Sequence, residues 1–94
     1  MSNKKYEVKI GKKALKSLKK MDKGESAMIM AWVKDNLMYC EDPYRFGKPL
    51  RYNLKGTWRY RVGDYRIITN INENEVVILL LEVKHRKEVY DEFK

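Results

Sequence analysis

Cysteine and histidine are nearly absent from this 94-residue chain, which has only Cys40 and His85. A lone thiol forms no internal disulfide and points to a reducing compartment; one thiol and one imidazole together exclude a structural zinc site built from such ligands. Apolar runs are short as well. The longest, Val76 to Leu81, has the length of a strand and falls far below the ~20 residues of a membrane-spanning helix. The opening Met1-Ser2-Asn3-Lys4-Lys5 lacks the apolar segment of a signal peptide. No repeat, glycine-rich phosphate cradle or nucleophile motif occurs, and the carboxylate pairs Glu41/Asp42 and Asp91/Glu92 are sequence neighbours that give only a weak metal signal. The expectation is one small cytoplasmic domain over residues 1–94, with no cofactor, no metal and no membrane partner.

Positive charge, by contrast, is abundant. The chain has 21 lysines and arginines against 13 carboxylates, a net charge of +8 that suits an anionic partner. Its distribution is uneven. Before position 45 every cation is a lysine, and all six arginines lie at or after Arg45. Between Arg45 and Arg66, seven cations (Arg45, Lys48, Arg51, Lys55, Arg59, Arg61, Arg66) face a single carboxylate, Asp64. Lysine is a hydrated point charge, so the lysines of residues 12–20 read as a solvated helix face. Arginine holds its charge when partly dried, and its planar fork fits two phosphate oxygens.

Patterning places these charges on elements. Tyr6 to Ile10 alternates as a half-buried strand, and Gly11 ends it. Ala14, Leu15, Leu18 and Met21 then recur at helical spacing. Asp22 and Glu25 fit a capping box for a second helix that runs to about Met38 and buries Ile29, Met30, Val33 and Leu37. Glu41 to Pro49, which contains both prolines, is loop. Leu50 to Leu54 can begin a strand; Trp58 to Val62 and Tyr65 to Ile71 are strands about a Gly63-Asp64 turn. Val76 to Leu81 is apolar on both faces, as in a central strand covered on both sides, and Lys87 to Phe93 can form a short helix. Strand, two-helix hairpin, then about four strands describes an α+β domain with a mostly antiparallel sheet.

A two-residue turn at Gly63-Asp64 sets Arg61 opposite Arg66 and puts Arg59, Arg61 and Arg66 on one face, with Trp58, Tyr60, Val62, Tyr65 and Ile67 on the other. Like charges directly opposed destabilise a hairpin by several tenths of a kcal/mol, a repulsion that a bridging anion reverses. Carrying the register through the next hairpin sets Arg66 opposite Leu81 and brings His85 to the arginine face, unless a bulge intervenes and sends it to the other. Arginines with a histidine and a tyrosine are the parts for RNA cleavage without metal. The 2′-hydroxyl attacks its own phosphodiester, a base takes its proton, an acid protonates the leaving 5′-oxygen, and cations stabilise the phosphorane. Imidazole is the side chain that ordinarily trades protons near neutrality. His85 also suits a plain surface role, and Tyr90 either stacks on a base or pins the C-terminal turn. Trp58 and Tyr60 read as core.

Two segments give the chain a resemblance. Leu54-Lys55-Gly56-Thr57-Trp58-Arg59-Tyr60-Arg61-Val62-Gly63-Asp64-Tyr65-Arg66-Ile67-Ile68, followed by Val83-Lys84-His85-Arg86-Lys87-Glu88-Val89-Tyr90, resembles the RelE/ParE superfamily of type II toxin–antitoxin toxins, in its RelE-like branch. That resemblance implies a metal-independent endoribonuclease that cuts mRNA in the A site of the 70S ribosome, until a cognate antitoxin silences it. It assigns Arg66, His85, Arg86 and Tyr90 to catalysis, and Arg59 and Arg61 to substrate contact; Arg51 and Lys55 extend the phosphate-binding set. Lys84 stands where relatives often have glycine, and Tyr44 to Lys48 lacks the carboxylate base that some supply, so the general base is unassigned. The ParE-like branch implies a gyrase poison without catalysis. A simple basic nucleic-acid-binding module is the third reading.

Overall fold

The computed structural model describes residues 4–50 and 56–87. Strand β1 (Glu7–Ile10) leads into helices α1 (Lys12–Lys20) and α2 (Lys23–Asn36). A single 3-10 turn (Pro43–Arg45) then precedes β2 (Lys48–Pro49), β3 (Thr57–Val62), β4 (Tyr65–Asn72) and β5 (Val77–His85). One five-stranded sheet results, in the order β1-β5-β4-β3-β2, with β1 parallel to β5 and every other pairing antiparallel. The expected α+β architecture is therefore present, with the two-residue β2 added. The strand expected from Leu50 and most of the helix expected from Lys87 lie outside the described residues. Among the described residues, no helix is long and apolar enough to cross a membrane.

Both helices lay their apolar stripes on one face of the sheet. Ala14 and Leu18 of α1 and Ile29 and Val33 of α2, with Leu37 just beyond it, are buried with Tyr60, Ile67, Ile71, Ile78, Leu80 and Val83 from the strands. Leu15, which shares the helical spacing of Ala14 and Leu18, keeps 42% of its surface exposed. Asp22 caps α2, its Oδ2 accepting the Gly24 N–H at 3.1 Å. The capping-box partner goes elsewhere: the Glu25 carboxylate accepts the Tyr65 hydroxyl, tying the first turn of α2 to β4.

The β3–β4 hairpin has the expected register, Val62 opposite Tyr65, Arg61 opposite Arg66 and Tyr60 opposite Ile67. Gly63 takes the left-handed φ of 58° that the tight turn needs. The β4–β5 register departs from expectation twice. The side chain of Asn72 accepts the Glu75 N–H at 2.9 Å and Val76 sits at φ 58°, so this turn is longer and Asn72 pairs with Val77. A bulge follows: Thr69 pairs with Leu80 but Ile68 with Glu82, leaving Leu81 as the extra residue. Without it, Glu82 would share the buried side of Leu80. With it, Val83 enters the core, while Glu82 bonds Lys13 at 3.6 Å and Lys84 at 3.5 Å. Val77, Leu79 and Leu81 remain half-buried, so β5 is not covered on both sides.

Where the chain crosses β3, Gly47 sits at φ 78°, and a Cβ there would stand 2.1 Å from the Arg59 carbonyl oxygen. Gly47→Ala is expected to lower stability by about 3 kcal/mol, read as a fall in urea midpoint at unchanged m-value.

Candidate nucleic-acid interface

The arginine face follows from alternation in β3 and β4. Arg59 and Arg61 point away from the helices, opposite Ile68 and Arg66 respectively. Arg66 is the residue on which the site turns: it is half-buried, and its Nη1 is out of contact with solvent with no hydrogen-bond partner. Burial first, then the charges of Arg61, Arg59 and Arg86, pushes this group below its usual pKa. Arg86, one residue past β5, thus joins the same field. Its backbone N–H donates to the Asp64 carbonyl at 2.7 Å, and its side chain lies 3.8 Å from the exposed Asp64 carboxylate. Among the described residues, the charges of Arg59, Arg61 and Arg86 thus bear on Arg66, Asp64 lies beside Arg86, Glu82 pairs with Lys84 on the same face, and one buried Arg66 N–H has no partner. Such a donor costs free energy unless an acceptor arrives, which is the condition of an anion site.

His85 does not join that face. The longer turn and the Leu81 bulge pair it with Tyr65, and the two rings meet edge to face at 5.2 Å. Lys84 takes the place opposite Arg66. The His85 Nδ1 accepts the Lys87 N–H at 3.2 Å, which leaves Nε2 as the nitrogen open to other partners. Tyr65 in turn donates to Glu25, and that bond, ahead of burial, raises its pKa to about 12. Arg51, Lys55 and Tyr90, the other expected site residues, lie outside the described residues.

Beside Arg66 is a cleft of about 400 Å³ whose walls include Arg59, Arg61, Lys48, Trp32 and Phe46. Trp32 and Phe46 are absent from the sequence-based set. Trp32 falls at core spacing on α2, which carries no functional signal. Phe46 had one: an aromatic between Arg45 and Lys48 is the interleaving typical of nucleic-acid binders. Tyr60 is fully buried, with its hydroxyl donating to the Pro43 carbonyl at 2.6 Å, and Trp58 is half-buried, with Nε1 donating to the Phe46 carbonyl at 2.7 Å. Among the described residues, no three His, Cys, Asp or Glu side chains gather to hold a metal ion.

A small basic α+β domain, with helices on one sheet face and clustered arginines on the other, has the design of the toxins of two-component toxin–antitoxin modules. The family model described as ParE toxin of the type II toxin–antitoxin system parDE matches residues 8–90. The chain is 32% identical over 85 residues to toxin RelG of Mycobacterium tuberculosis, covering 90% of this chain and 95% of that protein. The toxin–antitoxin complex RelBE2 of the same organism has a chain that superposes with TM-score 0.76 at 32% identity, covering 87% of this chain and 99% of that one. The archaeal RelE–RelB complex of Pyrococcus horikoshii gives 0.66 at 29% identity, covering 87% and 96%. The chain belongs to the RelE/ParE superfamily of type II toxin–antitoxin toxins, in its RelE-like branch.

Two expectations follow from the geometry. Inorganic phosphate is expected to raise the Tm of the unaltered protein, and replacing the unpaired cation with an apolar group of similar shape, Arg66→Met, is expected to stabilise the fold by about 1 kcal/mol at low ionic strength and to remove that rise. The Tyr65 phenol is protonated more firmly in the fold than in the unfolded chain, so its contribution to stability is complete below pH 10 and is lost as the pH rises toward about 12. Glu25→Gln should move the Tyr65 ionisation, followed by tyrosine NMR, down toward 10.

Proposed function

We propose that this toxin is a ribosome-dependent, metal-independent endoribonuclease that halts translation by cutting mRNA. The observation that carries the reading is the buried, unpartnered Arg66 Nη1 at the centre of the Arg59, Arg61 and Arg86 field. In-line attack of a 2′-oxygen on its own phosphodiester builds charge on the non-bridging oxygens, and donors already fixed in place stabilise that charge without reorganising. Arg66 and Arg86 take those oxygens. Arg59 and Arg61, with Arg51 and Lys55, hold the neighbouring phosphates.

Proton transfer is assigned to His85, acting through Nε2 from the rim of the arginine face, and Tyr90 orients the substrate. The rim position is consistent with His85 ending β5 directly before Arg86. The lysines of α1 add long-range attraction to ribosomal RNA, a contact expected to weaken with salt. A cognate antitoxin silences the toxin in the cytoplasm, a reading supported by the RelB-bound relatives; a segment that folds on binding and covers the arginines suits that role. The ParE description of the family model favours a second reading, inhibition of gyrase without catalysis.

Incubation with programmed 70S ribosomes and mapping of message 5′ ends separates the two. Cleavage within the message is expected, with Arg66→Ala lowering its rate at least 100-fold while its melting transition remains cooperative. Undiminished cleavage by that variant overturns the site. Blocked supercoiling with an intact message selects the gyrase reading.

A further inference from the structure

We propose that the cleft beside Arg66 is a nucleotide subsite for single-stranded RNA, in which Phe46 and Trp32 receive a base while Arg66, Arg59 and Arg61 receive its phosphate. The inference deepens the nuclease reading and rests on it for the choice of RNA. Aromatic and cationic groups line one cavity, and its volume of about 400 Å³ suits a single nucleotide. Phe46 keeps 37% of its surface exposed although it stands beside other apolar rings. Trp32 meets it edge-on at 5.9 Å, and Trp32 also leans on buried Tyr60 at 5.5 Å. The Arg45 guanidinium lies 5.5 Å from the Phe46 ring centre. Burying Phe46 more deeply would serve folding alone better; an aromatic held part-open between cations serves stacking.

The aromatic wall is fixed in advance. The Phe46 carbonyl accepts from Trp58, Gly47 presses against the β3 backbone, and Tyr44 donates to Glu73 at 2.7 Å while its ring meets Trp58 edge-on at 5.0 Å. A nucleotide entering this cleft therefore orders little of the protein, which favours binding. The charged lining side chains, Lys48, Arg59, Arg61 and Arg66, are all donors, and the Tyr60 hydroxyl is already committed to Pro43. Among the described lining residues no side-chain carboxylate or amide reads amino groups on a base, so these residues select a stacked base and an adjacent phosphate, with little preference among the four bases.

The test uses the whole protein and a 2′-O-methylated trinucleotide, which binds but has no free hydroxyl to attack, compared by calorimetry with the same backbone lacking its bases. Removal of the bases is expected to weaken binding about tenfold. Phe46→Leu should weaken the intact trinucleotide by the same factor and leave the abasic one unchanged, so that the two losses do not add. Arg66→Ala should weaken both. Equal affinity of intact and abasic ligands for the unaltered protein overturns the subsite, and requires no variant to fold. If that equality accompanies Arg66-dependent message cleavage, the subsite is wrong and the nuclease reading stands. Base-dependent binding without message cleavage keeps the subsite and removes the nuclease.

Discussion

Arg61 and Arg66 face each other across β3 and β4, and one Arg66 nitrogen has left water without gaining a partner. Both circumstances oppose folding: like charges in direct register repel, and an unsatisfied buried donor loses its hydration for no return. The hairpin forms nonetheless because the other side of the same two strands is well packed. Tyr60, Val62 and Ile67 are buried there against the helices, and Thr69, also buried, satisfies its hydroxyl on the Trp58 carbonyl at 2.8 Å. Burying three side chains of this size contributes several kcal/mol, more than the repulsion removes. The sheet thus holds Arg61 opposite Arg66 at a cost that packing on its other face offsets.

The Leu81 bulge decides which residues share that arrangement. An unbroken ladder would turn Glu82 toward the core and His85 toward the arginines. One extra residue reverses both: Glu82 emerges to meet Lys13 and Lys84, and His85 lies against Tyr65. Arg86 follows one position later, so alternation returns it to the field around Arg66. His85 therefore lies with Tyr65 at the end of β5, while Arg86, one position on, acts on Arg66.

Much of this was legible from residue types and spacing. The periods of the two helices, the Gly63-Asp64 turn and the alternation of β3 and β4 depend on neighbours close in sequence, so local rules sufficed for the Arg61/Arg66 pairing. The β4–β5 register did not yield, because it depends on whether Asn72 caps its own turn and on the cost of burying Glu82, a three-dimensional matter. Leu15 had the right period and the wrong exposure, since α1 is short and presents a narrow stripe. Glu25 stood at the capping-box position, yet Tyr65 claimed it from across the fold. Trp32 and Phe46 meet only after α2 and the segment before β2 are folded together, and no spacing rule links them.

Apolar packing and arginine charge divide between the two faces of one sheet, and the division has a consequence for mutation. Residues on the helix side, such as Tyr60 and Ile67, have no room to vary without loss of packing. Residues on the arginine side stabilise little and cost something, so substitutions there should leave the fold standing while changing what it binds. His85 belongs to neither class. Its ring packs on Tyr65, which is fastened to α2 through Glu25, so a change at that imidazole disturbs the helix-side anchor as well as the rim. Replacing Arg66 removes charge from the arginine face and leaves that anchor in place, so the Arg66 guanidinium probes the face more directly than the His85 imidazole does.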